Sequence, residues 1–222
     1  MPVLQISRQP DALAWFDTVR GRPLLAAEQE AIRAALASRP AQQPWLWLSP
    51  LAPPAASIEA AGLPPRSLLL HPRGERYAGT LQCGLPLPLP NESVGNLILQ
   101  HALDDDRQGL LEEGVRVLAP GGRLWLFVLN PWSPYRARWR SSGLQARDVQ
   151  DWQRRLRQLG LQPCGGEVSY LGPLWRMAAG SQVRAPGRLR AVCLLEAEKR
   201  TASLIPPAPV SRRWQPAGAA PA

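Results

Sequence analysis

The stretch from Asn96 to Leu129 constrains this chain more than any other part of it. Asn96-Leu-Ile-Leu-Gln100 is an apolar run of strand length. Asp104, Asp105 and Asp106 follow as N-cap candidates for a helix over Arg107–Val117, with acids near its positive end. Leu110, Leu111, Val115 and Leu118 give that helix one apolar face. Ala119-Pro-Gly-Gly122 predicts a turn, and Arg123-Leu-Trp-Leu-Phe-Val-Leu129 is a nearly continuous apolar strand. Continuous rather than alternating apolarity predicts burial on both faces, as in the middle of a parallel sheet. Strand, helix and strand in so short a span form a βαβ unit with a right-handed crossover.

The flanking segments extend this pattern. Pro10–Val19 and Ala26–Arg39 predict two short helices, the second with Ala27, Ile32, Ala35 and Leu36 as its stripe. Together, residues 1–40 form an expected N-terminal helical cap. Trp45–Leu48 reads as a buried strand, Ser67–His71 as a second closed by Pro72, and Thr80–Gln82 as a weaker third. Arg147–Leu159 predicts an amphipathic helix with Val149, Trp152, Leu156 and Leu159 on one side and Gly160 as its stop. Gln162–Tyr170 and Leu189–Ala197 predict two late strands. The expected organisation is one α/β domain over residues 1–200, followed by a Pro- and Arg-rich, flexible tail over 201–222.

No uncharged apolar run is long enough to span a bilayer, and the first twenty residues lack the pattern of a signal peptide. The three cysteines, Cys83, Cys164 and Cys193, are widely spaced and contain no CxxC pair, which fits buried thiols in a reducing compartment. The expected location is the cytoplasm, with no membrane partner. Charge is unevenly placed: Met1–Asn130 holds 11 basic and 12 acidic residues, whereas Pro131–Ala222 holds 15 basic and 5 acidic. A basic C-terminal half can meet nucleic acid or an anionic metabolite through phosphate contacts. It equally fits helix faces solvated by arginine, and it lacks the interleaved aromatics of a single-strand platform.

Leu87-Pro-Leu-Pro-Asn-Glu-Ser-Val94, the run Arg116-Val-Leu-Ala-Pro-Gly-Gly122-Arg-Leu124 and Asn130-Pro-Trp-Ser133 together resemble the second half of a class I S-adenosylmethionine-dependent methyltransferase core. Asn130–Ser133 and Leu195-Glu-Ala-Glu-Lys-Arg200 are similar to one bacterial subgroup of methyltransferase type 11-like proteins. The resemblance implies a doubly wound, mainly parallel seven-stranded sheet with its last strand antiparallel. It also implies S-adenosyl-L-methionine as cofactor, lying across the carboxyl edge of the first strands, where open α/β sheets bind ligands. The positions that would meet it are Ser49, Pro50, Leu51, His71, Cys83, Gly84, Gln100 and His101. Asn130, Trp132 and Tyr135 would face the acceptor, whose identity is open.

Several of these positions depart from the family's pattern. The loop after the first strand is Ser49-Pro-Leu-Ala-Pro-Pro54 where the family has glycines, and proline has no N–H and cannot take φ > 0. His71 stands where an acid would hold the ribose hydroxyls. Cys83 stands where a second acid would face the adenine, and Gly95 replaces a further Asp. Loss of the charged ribose hydrogen bond costs about 1.5–3 kcal/mol, or roughly tenfold to a hundredfold in affinity. His101 follows the fourth strand and is a candidate general base, or else a strand-to-helix cap. Asp104–Asp106 reads as a helix cap rather than a metal site. Two functions therefore stand: methyl transfer with weak or lost activity, and a non-catalytic methyltransferase-like scaffold that binds a protein or nucleic acid through the Arg-rich half.

Overall fold

A computed structural model describes residues 12–38, 44–52, 63–104, 109–164, 168–174 and 187–200. Its centre is a sheet of eight strands: β1 (Trp45–Leu48), β2 (Leu68–Arg73), β3 (Arg76–Gly79), β4 (Val94–Gln100), β5 (Leu118–Leu129), β6 (Leu161–Pro163), β7 (Ser169–Leu171) and β8 (Val192–Lys199). The order across the sheet is β3-β2-β1-β4-β5-β8-β6, with β7 also pairing β8. Strands β2, β1, β4 and β5 run parallel. Strand β8 is antiparallel to β5, and β3 folds back on β2 as a hairpin. This is the expected mainly parallel, doubly wound sheet with a reversed last long strand, but with eight strands rather than seven because β6 and β7 both pair along β8.

Period-two alternation divides the core into two layers. Trp45 and Trp47 of β1, Ile98 of β4, and Trp125, Phe127 and Leu129 of β5 face one side. Leu46 and Leu48, Leu97 and Leu99, and Leu124, Leu126 and Val128 face the other. The aromatic side is covered by helix α1 (Arg22–Ala37) through Leu24, Ile32, Ala35 and Leu36, together with the preceding 3-10 turn Ala12–Asp17 through Leu13 and Phe16. Trp45 and Trp125 stack there at 5.2 Å and 19°. The aliphatic side is covered by α2 (Leu110–Val117) and α3 (Val149–Gln158), whose Leu110, Leu111, Trp152 and Leu156 are buried. Because helices lie on both faces, β1 is apolar throughout and β4 and β5 carry long apolar runs, Leu97–Leu99 and Leu124–Leu129.

Several expected boundaries are corrected. Strand β2 runs through Pro72 to Arg73, because beyond Leu70 only β3 pairs with it and a proline on that free edge costs no ladder bond. The third strand is Arg76–Gly79 rather than Thr80–Gln82. The single late strand expected over Gln162–Tyr170 is two, β6 and β7, which pair in succession along β8. The first helix is a 3-10 turn, and α1 starts at Arg22. Ala27 is exposed, and the buried stripe of α1 is Leu24, Glu28, Ile32, Ala35 and Leu36. Gly109 with φ 82° stands at the start of α2 without a side-chain cap, so Asp104 does not cap that helix; Asp105 and Asp106 lie outside the described residues, as does the tail 201–222. Asp148 caps α3, its side chain accepting from the Gln150 N–H.

The Pro-Gly-Gly segment after α2 is part of β5 rather than a separate turn. Its glycines answer two demands. Gly121 takes φ 72°, and a Cβ on Gly122 would lie 2.7 Å from the Ala119 oxygen and 2.8 Å from the Gly95 oxygen. Gly122 therefore permits the close approach of β5 to the irregular start of β4. Gly122→Ala should lower stability by about 1–3 kcal/mol in urea unfolding. Gly84→Ala, with open space around the added Cβ, should stay within about 0.5 kcal/mol of the parent.

Candidate functional site at the carboxyl edge of the sheet

The carboxyl ends of β1, β4 and β5 meet in a buried polar network built on one residue the sequence reading did not single out. Glu28 lies at the centre of the buried stripe of α1 and is fully buried. Gln100, the last residue of β4, donates from Nε2 to Glu28 Oε2 at 2.7 Å and accepts from the Trp47 indole N–H at 3.1 Å. His101 Nε2 contacts Glu28 Oε1 at 2.7 Å, and His101 Nδ1 contacts Asp104 Oδ2 at 2.7 Å. The same Asp104 oxygen accepts from the Leu129 N–H at the end of β5, at 3.1 Å. Asp104 Oδ1 is buried without a hydrogen-bond partner. Phe16 stacks on the His101 ring at 4.3 Å. An acid in the middle of an apolar helical stripe, Leu24-x3-Glu28-x3-Ile32, is the signal that would have found Glu28.

The electrostatics follow from this geometry. Burial opposes charge on His101, but the Glu28 carboxylate and the hydrogen bonds to Asp104 and Glu28 outweigh it and push its pKa up to about 9. Burial raises the pKa of Asp104, and its bonds to His101 and Leu129 only partly offset that rise. The imidazolium is flanked by carboxyl groups on both ring nitrogens, so neither nitrogen is free. With both nitrogens engaged and no exposed atom, the His101 ring is closed off from solvent. The backbone of His101 sits at φ 52°, a left-handed conformation that histidine tolerates better than most residues. His101 N–H also donates to the Phe127 oxygen, and its own oxygen accepts from the Asp104 N–H.

The remaining expected positions fall into two groups. On the cofactor side, Ser49 and Pro50 are buried and Leu51 packs against the aromatic layer. The Ser49 N–H donates to the Leu70 oxygen at 2.9 Å. His71 is half-buried within β2, opposite Ala78. Cys83 is buried and bridged by its backbone to Tyr77, and burial pushes its thiol pKa up. Gly84 adjoins open space. On the acceptor side, Asn130 is buried and donates to the Arg188 and Arg190 oxygens. Tyr135 is buried and donates to the Arg20 oxygen, which pins the N-terminal segment. Trp132 alone of the three is exposed, at 71%.

The fit to a nucleoside-type cofactor is partial. The edge offers apolar surface, but the described residues present no glycine turn after β1. The Ser49 N–H is occupied within the sheet, and Pro50 has none to offer. Strand β2 continues past His71 into the β3 hairpin, and His71 rather than a carboxylate stands at the ribose position there among the described residues.

No family model matches this chain, and no curated protein matches it. Solved structures do. A chain of the Haloferax volcanii complex containing the Trm112 methyltransferase activator superposes with a TM-score of 0.55 at 16% identity, over 88% of this chain and 100% of that one. A methyltransferase from Archaeoglobus fulgidus that depends on S-adenosylmethionine gives 0.53 at 11%, over 84% and 97%. The 1,6-didemethyltoxoflavin-N1-methyltransferase of Burkholderia thailandensis, with bound 1,6-didemethyltoxoflavin and S-adenosylhomocysteine, gives 0.52 at 13%, over 90% and 94%. The fold is that of the class I methyltransferases. At these identities the likeness extends to the fold and no further.

The network makes a signed pH prediction. His101 is charged in the folded protein up to about pH 9, whereas its ordinary pKa is 6.5. Below 6.5 both states hold the proton. Between 6.5 and 9 only the folded state does, so its stabilisation is lost as pH rises through that window. Urea unfolding should show stability falling by about 3 kcal/mol from pH 6 to pH 9, and Glu28→Gln should remove most of that slope. A flat profile in the parent would mean that the ring is buried neutral.

Proposed function

We propose that this chain is a methyltransferase that uses S-adenosylmethionine, working at the carboxyl edge of β1, β4 and β5. The sheet order carries this reading: β1 lies between β2 and β4, and the reversal of strand order there builds the switch point at which open α/β sheets bind ligands. A neighbour of the same fold holds S-adenosylhomocysteine, which supports the cofactor class. Placement in the type 11-like subgroup rests on Asn130–Ser133 and Leu195–Arg200. The cofactor, when bound, supplies an activated methyl group. The chain's task is then to orient an acceptor, which is catalysis by proximity and needs few obligatory side chains. Three free cysteines and no described helix long and apolar enough to cross a membrane support a cytoplasmic setting.

A second reading, a non-catalytic scaffold of this fold, draws support from the closed Glu28–His101–Asp104 network and from the missing ribose carboxylate. Isothermal titration of S-adenosylmethionine and S-adenosylhomocysteine separates the two. Methyl transfer expects a Kd of tens of micromolar or tighter. Absence of heat at millimolar ligand, with the far-ultraviolet spectrum of a folded protein, would reject it in favour of the scaffold.

A further inference from the structure

Beyond the acceptor-facing place expected of Trp132, two features at this edge stand out: an exposed indole and the arginine-rich face of α3 beside it. Although Trp132 is 71% exposed, its ring is fixed, with Nε1 donating to Asp148 Oδ2 at 2.7 Å. Its backbone N–H donates to Asn130 Oδ1 at 3.1 Å, and Asn130 Nδ2 ties the same loop to the Arg188 and Arg190 oxygens. Asp148 is anchored in turn as the cap of α3, accepting from the Gln150 N–H at 2.8 Å. A large ring left in solvent gains little from folding, so this anchoring stabilises the ring for contact with something outside the chain.

Next to Asp148 along the chain, Arg147 begins the solvent face of α3. Arg147, Arg154 and Arg155 line a groove of about 440 Å³ together with Glu112, Asp151 and Gln158. Arg154 pairs with Asp151 at 3.0 Å and Arg155 with Glu112 at 2.9 Å, both in exposed or half-exposed positions. Such pairs contribute at most about 1 kcal/mol and exchange readily for a polyanion. Arg147 and Arg155 also lie 5.9 Å from the buried Trp152 ring, which orients both guanidinium groups. In sequence, the half of the chain from Pro131 carries 15 basic against 5 acidic residues, a bias that favours anionic partners. The Asp148 carboxylate accepts from two N–H donors, the Trp132 indole and the Gln150 backbone, which hold it in place.

A fixed aromatic face beside an arginine-lined groove is what single strands need: a surface for a base and cations for the phosphates. We infer that this surface binds single-stranded nucleic acid, with a base stacked on Trp132 and the backbone running along Arg147, Arg154 and Arg155. Unpaired bases are required, because a duplex buries its base faces in its own stack. The inference goes beyond methyl transfer and does not depend on cofactor binding, so either can fail without the other.

The test is fluorescence anisotropy of a labelled oligouridine titrated with the full chain and no cofactor, across a series of salt concentrations. The expected result is binding at low salt that weakens as salt rises, with at least tenfold weaker binding to a duplex of similar length. Trp132→Ala should lower affinity about tenfold and Trp132→Phe less than threefold. The double change Arg154→Gln, Arg155→Gln should flatten the slope of log affinity against log salt by roughly one to one and a half. Its residues are exposed or half-exposed, so folding should be preserved, which circular dichroism checks for each variant. No binding at low salt, equal affinity for the duplex, or an unchanged affinity in Trp132→Ala would each overturn the inference.

Discussion

Everything at the functional edge of this molecule is organised around the contact of Glu28 with Gln100 and His101. Three strands end at that point, and each leaves a polar group that water would otherwise have to satisfy: the indole N–H of Trp47, the amide of Gln100 and the N–H of Leu129. The network satisfies them within the protein and draws α1 onto the aromatic layer. A buried charge of this kind is costly alone and tolerable only when partnered on every side. Removing Glu28 would leave a buried imidazolium facing a single carboxyl group whose second oxygen already lacks a partner.

The network also sets the character of the site. In an open α/β sheet the carboxyl edge is where a ligand sits, and here part of that edge is occupied by the protein's own side chains. His101 and Gln100 hold the N-terminal cap in place instead of facing outwards. Asn130 and Tyr135, one strand further on, likewise bond to backbone. Trp132 is the exception, rigid and exposed, and it stands where the acidic-to-basic change in the chain takes place. The edge therefore has a closed, charged interior and an open aromatic flank that continues into the arginine face of α3.

The central strands and the crossover helix were legible because continuous apolar runs have few alternatives: only burial between two helical layers accommodates them. The amphipathic stripes of α2 and α3 were legible for the same reason. Boundaries that depended on one residue were less so. Pro72 lies inside β2 because the partner strand on that side has already ended, and nothing in the local sequence shows where a neighbouring strand stops. Asp104 resembles a helix cap in sequence, yet the fold turns it inward to His101 and the Leu129 N–H. The stripe Leu24-x3-Glu28-x3-Ile32 marks Glu28 as buried, but it does not announce its partner 73 positions away.

Hydrophobic period and length, which act locally, thus determined the layered α/β architecture, the parallel centre of the sheet and the basic bias of the C-terminal half. Tertiary structure alone decided which polar residues face inward, because a partner for a buried charge comes from long-range packing. That packing placed Glu28 against His101, closed His101 off from solvent, and left Trp132 exposed beside the arginines of α3.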